Sequence, residues 1–199
     1  MFKHTRSGIL CALGALALTA AAPAEAVTLV KRSTGAAYSG TVDGTLKSAT
    51  LLFASSLRNV TCNQSTLAGS TVSNGTDVDV TGATFTYNGG ACLNSDSGTT
   101  ALTATTPWYN GNFTYQTLTL SGVKVKTVGS GLTCYWKGAG TGGSIALSLA
   151  NGTADLEATA SNAQLVRDTG SSFLCPSSAT MSGSYILRTT AGEALQVLR

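Results

Sequence analysis

Four cysteines, Cys62, Cys92, Cys134 and Cys175, are spread over residues 27–199, and they constrain the fold more than any other feature of the chain. The fifth, Cys11, belongs to an amino-terminal segment organised as an export leader. "MFKHTRS" carries Lys3 and Arg6, "GILCALGALALTAAA" is an apolar run, and "AEA" at 24–26 offers small residues ahead of a cut before Val27. The run is short for a membrane span, and Leu10 stands where a lipidated cysteine needs a small residue before it. Residues 1–26 therefore read as a cleavable secretory signal peptide, leaving 27–199 as one exported domain with no membrane span.

In an exported chain an even number of cysteines reads as two disulfides, because such bonds persist in oxidising compartments. Four cysteines allow three pairings. Cys62–Cys92 with Cys134–Cys175 is favoured, since each pair closes one half of the chain. Loops of that length contribute roughly 3–4 kcal/mol each in the chain-entropy picture. Zinc is the rival use of four cysteines, but no CxxC spacing occurs. Neither a metal site nor a cofactor is expected.

Beyond residue 26 the chain keeps ten Lys and Arg against eight Asp and Glu. Only 11% of the whole sequence is charged while 43% is hydrophobic, which excludes a disordered polyelectrolyte. "VKVK" (123–126) and "VKR" (30–32) are too small to promise nucleic-acid binding. Strand signals run nearly throughout. Ile145, Leu147 and Leu149 alternate with small residues, and Ala83, Phe85 and Tyr87 repeat the period of two. In "LTLSGVKV" the apolar parity changes between Leu120 and Val123, so a one-residue slip is expected at Gly122. "TTAGEALQVLR" at the end is open between a short helix, a last strand and a loose tail. The expected fold is all-β, a single antiparallel β-sandwich stabilised by two disulfides.

"STLAGSTV" (65–72) and "ATMSGSYI" (179–186) echo each other, each after a cysteine. The echo carries no shared functional side chain, so it reads as strands whose Gly lets a neighbour approach closely. A cysteine followed by "STLAG", then "GGAC", "TATTPWYN", "GLTC" and "FLCPSSATMSGSY" makes an ordered series over nearly the whole chain after the leader. This series resembles a group of secreted four-cysteine β-proteins of actinobacteria without a settled activity. It is more loosely similar to proteobacterial exported proteins labelled activators of alkane oxidation, some of them associated with the cell surface and biofilms. The resemblance implies export and a β fold, and it transfers no catalytic residue.

The chemistry narrows by exclusion. His4 is the one histidine and lies in the leader, so His-based triads and His-metal sites are out. Bonded cysteines leave no thiol nucleophile. Most carboxylates stand beside Gly, Asn or Ser in turn-like sequence, where they stabilise the turn. Asp77 and Asp79 could share a Ca²⁺, but two carboxylates fall short of the oxygens calcium needs. No enzyme is expected. An outer-membrane barrel is set aside because no aromatic girdles repeat.

Two functions follow. The first is a secreted, structural or cell-surface protein that associates through strand edges with itself or with envelope components. "VTLVKRSTGAAYSG" (27–40) would supply the pairing strand, so polymers would vanish on removal of 27–36. The alternative is a monomeric binding module that meets a saccharide or peptide through the aromatic turn at 107–115, with Trp108 and Tyr109 as its contacts. In the bland reading of that turn, Trp108 plugs the core.

Overall fold

Runs rich in Thr, Val and aromatic residues, separated by Gly, Asn and Ser, have little choice but to extend and pair. The computed structural model describes residues 27–48 and 50–199, so the expected leader at 1–26 lies outside the described residues. Sixteen strands and no helix form among them. In chain order they begin with β1 (Thr28–Lys31), β2 (Gly40–Leu46), β3 (Leu51–Ser55), β4 (Asn59–Cys62), β5 (Gln64–Thr71) and β6 (Val78–Thr86). Next come β7 (Cys92–Asn94), β8 (Thr99–Ala104), β9 (Trp108–Phe113), β10 (Thr117–Leu120) and β11 (Lys124–Gly129). The series ends with β12 (Leu132–Gly138), β13 (Ile145–Asn151), β14 (Leu156–Arg167), β15 (Ser178–Thr189) and β16 (Leu195–Leu198).

Fourteen of these strands pair antiparallel in two circuits that share the β14–β15 hairpin. In lobe A the order is β14, β13, β10, β9, β6, β5, β2, β15. In lobe B it is β14, β12, β11, β8, β7, β4, β3, β15. The chain crosses from one lobe to the other six times, so β2 runs on into β3, β4 into β5, and so forward to β12 into β13. Each such pair is one long stave broken in the middle. With β14 and β15 these make eight staves in sequential order, an up-and-down circuit that closes on itself. The all-β, antiparallel, two-disulfide expectation holds, and the facing walls cover one core as sandwich layers do. Their edges are joined.

The breaks fall on a belt between the lobes, and several have a local cause. Pro107 follows a cis peptide bond and has no N–H to give a ladder. Asn88 and Gly89 take positive φ between β6 and β7, and Asn162 does so where β14 bulges between Ala160 and Ala163. The expected slip is there too: Gly122 has φ 66°, and Leu118, Leu120, Val123 and Val125 are all buried although their parities differ. The two echoing segments are β5 and β15, and their glycines permit close approach. A Cβ on Gly69 would lie 2.2 Å from the Asp79 carbonyl oxygen, and one on Gly183 would lie 2.7 Å from Leu51 Cδ1.

Alternation puts the apolar side chains inside. Lobe A is filled by Leu118, Leu120, Leu147, Leu149 and Leu156. In lobe B, Phe53 and Trp136 meet edge to face at 5.4 Å between ring centres, and the Trp136 indole N–H donates to Thr127 Oγ1 at 3.1 Å. Between them Tyr185 bonds Ser65 across the interior at 2.9 Å, and burial pushes its phenol up to about 12. Outward positions carry hydroxyls that pair across strands, as Thr66 does with Thr84 and Thr159 with Ser184. That is the reverse of the apolar-out pattern of a membrane-spanning barrel.

Both expected disulfides form, Cys62–Cys92 at the belt and Cys134–Cys175 at the far end of lobe B. The open C-terminal choice resolves as a strand: β16 pairs with β1 and the two cap lobe A. Leu29, Val30, Leu195 and Val197 are buried by this cap. Its outer edges are taken. Leu29 N–H donates to Ser73 O and Leu29 O accepts from Tyr38 N–H, while the Asn151 amide makes both bonds to Val197.

Beside the cap, Arg188 holds Asp155 through two bonds of 2.8 and 2.9 Å. That hydrogen bonding, helped by the charges of Arg188 and Arg32 and opposed by burial, keeps the Asp155 carboxyl below its usual 3.8. A depressed carboxyl contributes stability that is present above its unfolded pKa and is lost as pH falls through the folded one. Asp155→Asn is therefore expected to lower Tm at pH 7. The difference from wild type should shrink once thermal melts are run below pH 3.8.

Candidate functional site

Trp108 and Tyr109 are neighbours on β9, so an extended backbone sends them to opposite faces. Trp108 is only 2% exposed, and its indole N–H is committed to Thr105 O at 3.1 Å. Its ring is a core element. Tyr109 faces solvent, and Phe113 turns back into lobe A. The aromatic turn thus divides between core and surface and presents no paired aromatic platform. Asp79 accepts a bond from the Asn110 backbone N–H, which fixes the entry to the same strand. Asp168 pairs with Lys137 at 3.3 Å.

Two other places have the shape of a site. The first is the interior of lobe A, where a cavity of about 70 Å³ is lined by apolar side chains from every stave and from the cap, among them Leu29, Val42, Leu67, Phe113, Leu118 and Leu147. Dry cavities that hold benzene are about 150 Å³. This one admits a small alkyl group and no more unless the cap moves.

The second is the end of lobe B away from the belt. Three tight turns, at 56–58, 95–98 and 130–131, and the long loop at 168–177 meet there. Arg58 ties the three turns, donating to Ser130 Oγ at 3.0 Å and facing Asp96 at 3.6 Å. The long loop is held at both ends. Cys175 is bonded to Cys134 on β12, Arg167 donates to Phe173 O and Cys175 O, and Ser171 bridges the N–H and C=O of Tyr135. Its backbone is fixed, yet Phe173 is 86% and Leu174 63% exposed, with Leu57 standing out from the neighbouring turn.

A tied loop that holds a phenyl and an isobutyl group in water stabilises nothing in the isolated chain. Apolar groups gathered and exposed in this way are the kind of feature found at interaction surfaces. The sequence reading passed over them. The available signal was "GSSFLCPSS", two bulky apolar residues in a polar, turn-forming stretch with no strand alternation to bury them.

No curated protein and no solved structure matches this chain. A family model described as "Alkane oxidation protein activator PraA/PraB-like" does match it. That model matches residues 1–191, nearly the full length, and the chain belongs to that family.

Proposed function

We propose that this chain is an exported, non-enzymatic barrel of the cell exterior that makes physical contact with hydrocarbon and does not transform it. The observation that carries the reading is the tied loop with Phe173 and Leu174 in solvent. The family description supplies the apolar partner: an alkane phase is a surface, and a protein meets a surface with a protruding apolar tip. The two disulfides fit an oxidising environment, and the leader expected at 1–26 would provide the route there. Association through strand edges has less behind it, because the barrel circuit is closed and residues 28–31 are paired within the chain itself.

Adsorption to surfactant-free hexadecane droplets tests this reading. Burying a Phe and a Leu is worth about 1.5–3 kcal/mol each. Phe173→Ser with Leu174→Ser should therefore weaken adsorption by roughly a hundredfold or more. Tyr115→Ser, in the β9–β10 turn at the opposite end, should leave adsorption unchanged. A double variant that folds normally and adsorbs as wild type does would remove the proposal.

A further inference from the structure

The outer wall of lobe B gathers three lysines and one carboxylate, Asp168. On β11 and β12, Lys124 stands directly opposite Lys137, and Lys126 directly opposite Tyr135. Alternation turns all four outward, since Val125, Cys134 and Trp136 between them are buried. Like charges facing each other across a ladder repel. Beyond residue 26 the chain has five lysines, and three of them are in this patch. The other two, Lys31 and Lys47, are matched by Glu193 and Glu157. Lys137 meets Asp168 at 3.3 Å, and the charge of Lys124 also acts on that carboxylate. The ion pairs within 4.0 Å among the described residues include neither Lys124 nor Lys126. Lys126 instead lies 5.7 Å from the centre of the Tyr135 ring.

Beside these lysines, at the belt, opens a recess of about 420 Å³ lined by Lys124, Lys137, Gly138, Gly140, Gly142 and Gly143. The glycines follow from how tightly "GAGTGG" folds back on itself. A Cβ on Gly138 would lie 2.3 Å from the Gly143 carbonyl oxygen, and one on Gly140 would lie 2.3 Å from Ser144 Oγ. The lining is therefore glycine backbone with the small apolar residues Val123, Ala139 and Val166, flanked by two lysines, with an aromatic ring next along the ladder.

We propose that this surface binds a carboxylated polysaccharide of the uronic-acid type outside the cell. Peptide groups can meet sugar hydroxyls, ammonium groups meet carboxylates as point charges, and a phenol ring offers an apolar face with a polar tip. Same-face positions along a strand are about 6.7 Å apart, so Tyr135 and Lys137 address successive sugar units. Nucleic acid fits less well, because its binding surfaces interleave many cations with several stacking rings. The recess is at the belt end of β12, and the Phe173–Leu174 loop is at the other end. One molecule can thus hold an apolar phase and an acidic matrix together.

The test is calorimetric titration of the purified, oxidised protein with polygalacturonate, and with dextran as the neutral glycan. Polygalacturonate should bind, dextran should not, and binding should weaken as salt screens the lysines. Lys124→Ser with Lys137→Ser should weaken binding at least about tenfold, the scale of losing charged contacts. Its Tm should fall modestly, since Asp168 loses the Lys137 pair, and its hexadecane adsorption should not change. Absence of binding, equal binding of dextran, survival of binding in the double lysine variant, or tighter binding of DNA would each overturn the proposal.

Discussion

Replacing Trp136 with alanine is expected to lower the unfolding free energy by about 3–5 kcal/mol, the largest single-residue effect in the molecule. Trp136 is 2% exposed, packs edge to face on Phe53, and gives its N–H to Thr127, itself buried. Truncation leaves a void in lobe B and an unpaired hydroxyl in an apolar surround, and the two costs add. With a urea m-value of roughly 2 kcal/mol/M for a chain of this size, the midpoint should fall by about 2 M. Trp108→Ala tests the same point in a second place. A Trp108 variant of normal stability would show that its ring is not a core element.

Opening one disulfide should cost nearly as much. Cys62–Cys92 spans 30 residues and Cys134–Cys175 spans 41, which the chain-entropy model values at about 3–4 kcal/mol each. The two should differ in their local consequences. Cys62 and Cys92 join β4 and β7, which already pair, so a Cys62→Ser, Cys92→Ser variant should unfold earlier with its native state unaltered. Cys134→Ser with Cys175→Ser frees the loop that presents Phe173 and Leu174. It should add faster amide exchange across 168–177 to a similar loss of midpoint. Equal exchange in both variants would mean that Arg167 and Ser171 hold the loop without the bond.

Much of this fold was legible in local pattern. Ile145, Leu147 and Leu149 alternate and are all buried, and the parity change at Gly122 marks a real break. The disulfide pairing that forms is the one favoured among three, and the echo of "STLAGSTV" in "ATMSGSYI" reflects the close approaches at Gly69 and Gly183. What stayed hidden depends on distant partners. Nothing in β2 or β15 alone says that Tyr185 will stand opposite Leu46, yet that pairing closes the circuit. Leu195 and Val197 fit a strand or a helix until β1 arrives beside them.

The candidate site was harder to read for a physical reason. Alternation assigns faces only where it is sustained, and "PWYNGN" breaks it at Asn110–Gly111, so Trp108 and Tyr109 could not be told apart. Phe173 and Leu174 have no alternation at all, and only the tied loop shows that they stay in water. Of the two likenesses carried by the cysteine order, the family model falls on the proteobacterial one.

Hydroxyl-radical footprinting of the protein adsorbed to hexadecane droplets, read residue by residue by mass spectrometry, tests the central claim most directly. Phe173, Leu174 and Leu57 are exposed and should be oxidised freely in solution, and adsorption should protect them. Tyr109, Tyr115 and Leu198 are also exposed but belong to lobe A and its cap, and they should remain as reactive as before. Protection at lobe A with Phe173 and Leu174 still oxidised would contradict the account.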